Sequence, residues 1–250
     1  IFFPLVTAVY YLVPLKSRTP CLLLSSYYFY MCWNPSYVIL LLLSITHVVI
    51  LKYAPVYFTP LMAIRSCQSI LKDKTPRNNK TWVPIEQISH NLVVACIASE
   101  DNLFLKHNGF SERAIKQALI ERLEGKRIRG GSTISQQTAK NVFTFCSRTW
   151  LRKGIETYYT ILIELIWGKK RIMEVYLNIV ELGDGIYGAE AAAHHYWGIS
   201  ASKLSKSQSA LVAAALPNPL HYSIIRPGPY MQKRQKQILN LMPKMGKIEF

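Results

Sequence analysis

Residues 148–171 read RTWLRKGIETYYTILIELIWGKKR. Trp150, Leu151, Ile155, Tyr159, Leu162, Ile163, Leu165 and Ile166 surround most of a helical wheel without period-two alternation, so the segment predicts a long helix over Trp150–Trp167. Lys153, Glu156, Thr160 and Glu164 fall on one line of that wheel, a single polar stripe on an otherwise apolar helix. A stripe of this kind is either the solvent face of the helix or the wall of a cleft.

Upstream, residues 125–141 read GKRIRGGSTISQQTAKN. Two glycines precede a start rich in hydroxyls and amides, and Thr133 with Gln136 matches a capping box. Free N–H groups at a helix N-terminus favour anions. Gln137 and Lys140 share a face there, as do Gln136 and Lys140, so the segment is a candidate phosphate site. It lacks the GxxxxGK[ST] spacing of a P-loop, and the plainer reading is a capped helix after a loop.

Further upstream, ASEDNLFLKHNGF covers residues 98–110. Glu100 and Asp101 follow the apolar run NLVVACIA. A carboxylate at the end of an apolar element loses solvation, which suits a general base or acid. The competing reading is a solvated acidic pair, with His107 as a structural hydrogen-bonding residue.

The remaining pattern is also helical. Ser111 is expected to cap a helix through Ile115, Ala118, Leu119 and Leu123 that Gly125 ends. A helix is expected over Arg171–Glu181, ended by Gly183. Ser205 and Gln208 are expected to cap Ala210–Leu216, which Pro217 and Pro219 stop. There are no internal repeats.

The N-terminal part differs in kind. Residues 1–51 hold two charges, Lys16 and Arg18, and the remainder carries a net +14. Such a balance suits anionic partners: nucleic acid, anionic lipid or a phosphorylated substrate. The apolar runs Ile1–Leu15 and Cys21–Trp33 are short for bilayer spans and rich in tyrosine, which suits an interface. Ser36–Phe58 is the expected span, bent at its end by Pro55. The expected organisation is an anchor over 1–58, a linker over 59–80 that is polar and basic from Lys72, and a domain over 81–250. The chain opens on Ile1, which points to a trimmed start or an incomplete reading frame, and no signal-peptide pattern is visible. Five cysteines without CxxC spacing indicate neither a zinc site nor a disulfide framework.

Taken in order, the segments EDNLFLKHNG, GGSTISQQTAKN, RKGIE, KKRIMEVYLNIVELGDGIYGAEAAAHHYWG and LVAAALPNPLHY resemble the monofunctional peptidoglycan glycosyltransferases of transglycosylase family 51. The resemblance runs from about Lys52 to about Pro229 and is to the single-domain form, so no penicillin-binding transpeptidase domain is expected. Ser111, Trp197 and Gln208 stand where that family commonly has Asp, Phe and Glu. Residues 1–43, with FFPLVTAVYYLVPL and LLLSSYYFYMCWNPSYVILLLLS, resemble instead the opening of the membrane-bound O-acyltransferases. They lack that family's catalytic histidine region and are read as anchor material, fused or vestigial.

The main resemblance implies a mostly α, lysozyme-like domain with a small membrane-proximal lobe. It implies Glu100 as catalytic base and Glu156 as the second essential carboxylate. Gln137, Lys140, Arg148 and Lys153 match positions that grip the donor pyrophosphate, and Asp101, Ser132 and Gln136 line the same cleft. The implied substrates are lipid II and a glycan on undecaprenyl pyrophosphate, at the outer face of the cytoplasmic membrane. No cofactor is required; a divalent cation, Mg or Mn, is an optional aid near Glu156. A lytic enzyme of related fold would need a general acid and no cation cluster, and a silent anchored module would tolerate loss of Glu100. Nucleic-acid binding fits the charge but not the aromatics, which sit within apolar runs.

Overall fold

The computed structural model describes every residue except Ile1, Asn34, 112–115, 117–130 and 146–148. The chain divides into two units, Ile1–Ile50 and Leu51–Phe250. The expected helix after Ser111 and the candidate Arg148 lie outside the described residues.

The first unit is helical: α1 (Phe2–Leu12), α2 (Leu15–Trp33) and most of α3 (Pro35–Tyr53). The two apolar runs Ile1–Leu15 and Cys21–Trp33 are not separated by a break in helix at residues 16–20: α2 begins at Leu15 and runs through Pro20. Proline removes one donor there without ending the helix. Among the described residues, α3 is the one helix long and apolar enough to cross a membrane, over Ser36–Tyr53. It stops short of the expected Phe58 because Pro55 disfavours helical backbone at the residue before it.

The second unit continues with α4 (Pro60–Ile70), α5 (His90–Glu100), α6 (Ile134–Phe143), α7 (Trp150–Ile166), α8 (Gly168–Ile179), α9 (Ala189–Trp197), α10 (Lys206–Ala215) and α11 (Pro229–Leu241). Leu92 to Ala98 are all buried, which explains their unbroken apolar run: α5 is packed by α10 and α11. On the other side of the site, α6 packs against α7 and α8, and the Phe143 ring stacks on Tyr159 at 4.2 Å. Both expected capping boxes form, Thr133 with Gln136 and Ser205 with Gln208.

The region after Ile179 departs from expectation. The helix expected to reach Glu181 ends at Ile179, Val180 is extended, and Glu181–Gly183 is a strand. With β1 (Asn79–Lys80), β2 (Glu181–Gly183) and β3 (Ile186–Tyr187), a three-stranded sheet forms in the order β1-β3-β2. β1 is parallel to β3, with Asn79 opposite Ile186, and β2 is antiparallel to it, with Glu181 opposite Tyr187. Strands of two and three residues carry no readable alternation. Gly188 closes the sheet with φ of +81°, and a Cβ there would meet the Asn178 carbonyl oxygen at 2.5 Å.

Candidate active site

Glu100 is the last residue of α5 and Asp101 is its C-cap. Adjacent in sequence, the two carboxylates diverge. Glu100 is half-buried; its Oε2 accepts from Gln137 Nε2 at 3.0 Å and its Oε1 from Ser99 Oγ at 3.3 Å. Gln137 Oε1 in turn accepts from the hydroxyl of the fully buried Tyr176 at 3.4 Å. The structure therefore brings α5, α6 and α8 together at Glu100.

Asp101 is only 7% exposed and is turned inward. His107 Nε2 lies 2.9 Å and 3.0 Å from its two oxygens, and Ile134 N donates to Oδ2 at 3.1 Å. Gly109 N donates to His107 Nδ1 at 3.1 Å, so Nε2 carries the proton and donates to Asp101. A carboxylate of the chain itself thus sits on the first turn of α6. Thr133 Oγ1 takes the Gln136 N–H, and Gln136 Oε1 takes the Thr133 N–H. The anion-binding start expected for this helix is occupied from within, by Asp101 and the capping box. Asp101 and Gln136 are both buried in this arrangement, while Ser132 is exposed just before the helix and Lys140 is exposed in its last turn.

The polar stripe of α7 faces inward. Glu156 is 3% exposed and Thr160 fully buried, whereas Trp150 is 87% exposed and Leu151 and Leu165 also point out. The stripe finds partners inside. Thr160 Oγ1 donates to the Glu156 carbonyl at 2.7 Å, Lys169 Nζ lies 2.7 Å from Glu164 Oε1, and Ser135 Oγ donates to the same oxygen. The 101–109 loop presses on it: a Cβ on Gly109 would come within 2.8 Å of Thr160 Cγ2, and φ there is +85°. Glycine is required at that contact on both counts. Thr133 Oγ1 donates to the Gly109 carbonyl at 2.6 Å, tying the loop to α6.

Glu156 accepts from two cations of its own helix. Arg152 Nη1 is 2.6 Å from Oε2, and Lys153 Nζ holds Oε1. The polar stripe placed Lys153 beside Glu156; Arg152, at the i,i+4 spacing, is a second partner that the stripe did not include. Among the described residues, the hydrogen bonds and ion pairs of Glu156 stay within its own helix; Gln137, the partner of Glu100, stands on α6, which packs against α7.

The donor set does not fit a divalent metal at Glu156. Both its oxygens face cations, which a metal ion would have to displace. Among the described residues there is also no group of three His, Cys, Asp or Glu side chains placed to share an ion. Cys21, Cys32, Cys67 and Cys96 are free thiols, and Cys146 lies outside the described residues.

One helical domain thus holds half-buried Glu100 at a helix end, buried Glu156 under two cations, and exposed Lys140 on the helix between. The Transglycosylase family model matches residues 68–243, and the chain belongs to that family. It is 52% identical over 209 residues to the biosynthetic peptidoglycan transglycosylase of Bacteroides thetaiotaomicron, covering 82% of this chain and 84% of that protein. The namesake in Bdellovibrio bacteriovorus is 48% identical over 197 residues, 79% of each chain. That of Aeromonas hydrophila is 54% identical over 167 residues, 67% of this chain and 71% of that one.

Proposed function

We propose that this chain, a peptidoglycan glycosyltransferase of cell-wall synthesis, polymerises lipid II into β-1,4 glycan strands by inverting transfer. The donor is a growing glycan on undecaprenyl pyrophosphate and the acceptor is lipid II. Glu100 takes the proton of the acceptor's 4-hydroxyl. The freed oxygen attacks the donor's anomeric carbon from the face opposite the pyrophosphate, the bond to the pyrophosphate breaks, and undecaprenyl pyrophosphate leaves with the bonding electrons. A pyrophosphate is a stable anion, so the step needs charge stabilisation and no general acid.

The observation that carries this reading is the placement of Glu100. One donor is fixed on each of its oxygens and its outer side is open to solvent, which leaves lone pairs for an acceptor hydroxyl. Lys140, exposed on α6, and Lys153 with Arg152, partly exposed above Glu156, supply the cations for the pyrophosphate, joined by Arg148. Glu156 holds Arg152 and Lys153 in place. Gln137 orients Glu100, Ser132 lies at the exposed lip, and Asp101 and Gln136 hold α6. No step runs through a metal ion.

Membrane attachment is supported by α3. The outward apolar residues Phe145, Trp150, Leu151 and Leu165 suit a lobe lying against lipid. The catalytic unit works on the outer face of the cytoplasmic membrane, where it meets no nucleic acid. The test is incubation of the full-length protein with labelled lipid II in detergent. Long glycan products are expected, shortening of preformed strands indicates a lytic enzyme, and no change in lipid II refutes the proposal.

A further inference from the structure

The Glu100 carboxylate is held by two donors, and each of those donors is itself held by a second residue distant in sequence. We propose that Tyr176 and Arg234 are positioning residues for Glu100, Tyr176 acting through Gln137 and Arg234 acting through Ser99. This inference rests on Glu100 being the base.

On one side, Gln137 Nε2 donates to Glu100 Oε2 at 3.0 Å and the Tyr176 hydroxyl donates to Gln137 Oε1 at 3.4 Å. A side-chain amide has a donor end and an acceptor end related by a half-turn. A hydroxyl fixed on the acceptor end decides which end meets the carboxylate. Burial, with Glu100, Cys96 and Asp101 nearby, holds the Tyr176 hydroxyl well above its ordinary pKa, so it keeps the proton it donates.

On the other side, Arg234 Nη2 donates to Ser99 Oγ at 3.3 Å and to the Ser99 carbonyl at 3.2 Å. A serine hydroxyl that accepts from a guanidinium is left with its own proton to give, and it gives it to Glu100 Oε1 at 3.3 Å. Arg234 sits on α11, packed against α5. The two relays fix the plane of the carboxylate from opposite oxygens. A base set in one plane meets the acceptor hydroxyl in line; a base free to rotate does so for a fraction of the time.

The experiment uses the full-length chain with labelled lipid II, measuring kcat, KM and thermal melting. Tyr176→Phe removes one oxygen from a buried site, and kcat is expected to fall about tenfold with KM unchanged, because orientation and not substrate contact is lost. Arg234→Met is expected to lower kcat several-fold in the parent, by about the loss seen for Ser99→Ala, and to add nothing in the Ser99→Ala background. A merely structural Arg234 would cost as much in either background. Ser99→Thr, which restores the hydroxyl, is expected to recover kcat. Wild-type kcat in Tyr176→Phe, or additive losses for Arg234→Met and Ser99→Ala, overturns the proposal while leaving Glu100 as the base. Near-normal turnover by Glu100→Gln overturns both.

Discussion

Replacing Asp101 by Asn separates a scaffold carboxylate from a catalytic one. The carboxylate accepts from His107 Nε2 and from Ile134 N, at 2.9–3.1 Å, in a nearly buried position. An asparagine has one acceptor oxygen. If it faces the Ile134 N–H, its amide protons meet the His107 N–H. If His107 shifts its proton to Nδ1, that proton meets the Gly109 N–H instead. One buried N–H is left without an acceptor either way, at a cost of about 1–3 kcal/mol. Loss of the negative charge on the first turn of α6 adds about 0.3–1 kcal/mol. The sum is about 1.3–4 kcal/mol, which in a domain of this size lowers the melting temperature by roughly 3–16 °C. The assay is a thermal melt of the purified full-length variant beside the parent, followed by circular dichroism. Activity is expected to fall as well, because Gln137 and Lys140 ride on α6. A melting temperature within about 2 °C of the parent would refute the argument that Asp101 holds this helix.

Other outcomes follow from the same geometry. Glu100→Gln is expected to lower single-turnover rate by about a hundredfold or more while binding of a lipid pyrophosphate analogue survives, since the cations are untouched. Lys140→Ala, at an exposed position, is expected to weaken donor use without moving the melting temperature; unchanged polymerisation would remove Lys140 from the pyrophosphate site. Glu156→Gln frees Arg152 and Lys153 from their shared carboxylate, so analogue binding is expected to change together with rate, and a change in rate alone would count against a role in holding the cations. Reporter fusions at Lys74 are expected to show an extracytoplasmic location, and a reporter active only in the cytoplasm would overturn the assigned face.

What was legible in the sequence shares a physical basis. The capping boxes, the long helix after Thr149 and the run ending at Glu100 depend on residues three or four apart, or on one element's own apolar content. The ordered motifs led to the family for the same reason: they are contiguous. The short sheet was not legible, because its strands are two or three residues long and β1 pairs with β3 across about a hundred positions.

The sequence by itself determined that this chain is mostly helical, carries an apolar N-terminal segment before a basic domain, and places acids, amides and cations in an order that identifies its family. Only the tertiary structure decided which way those side chains point. Lys153, Glu156, Thr160 and Glu164 could line solvent or a cleft with the same periodicity, and the direction was settled by Gly109 and Ser135 packing against the stripe. Glu100 and Asp101 are neighbours with the same functional group, and apart from the family resemblance nothing in the local sequence separates their roles. One reaches Gln137 and the other the backbone of Ile134, more than thirty residues away, because the chain turns out of the helix between them: Asp101 leaves helical geometry with φ −159° and ψ 77°. A change of backbone direction at one residue sends two like carboxylates to opposite surroundings, and it is the surroundings that set what a carboxylate does.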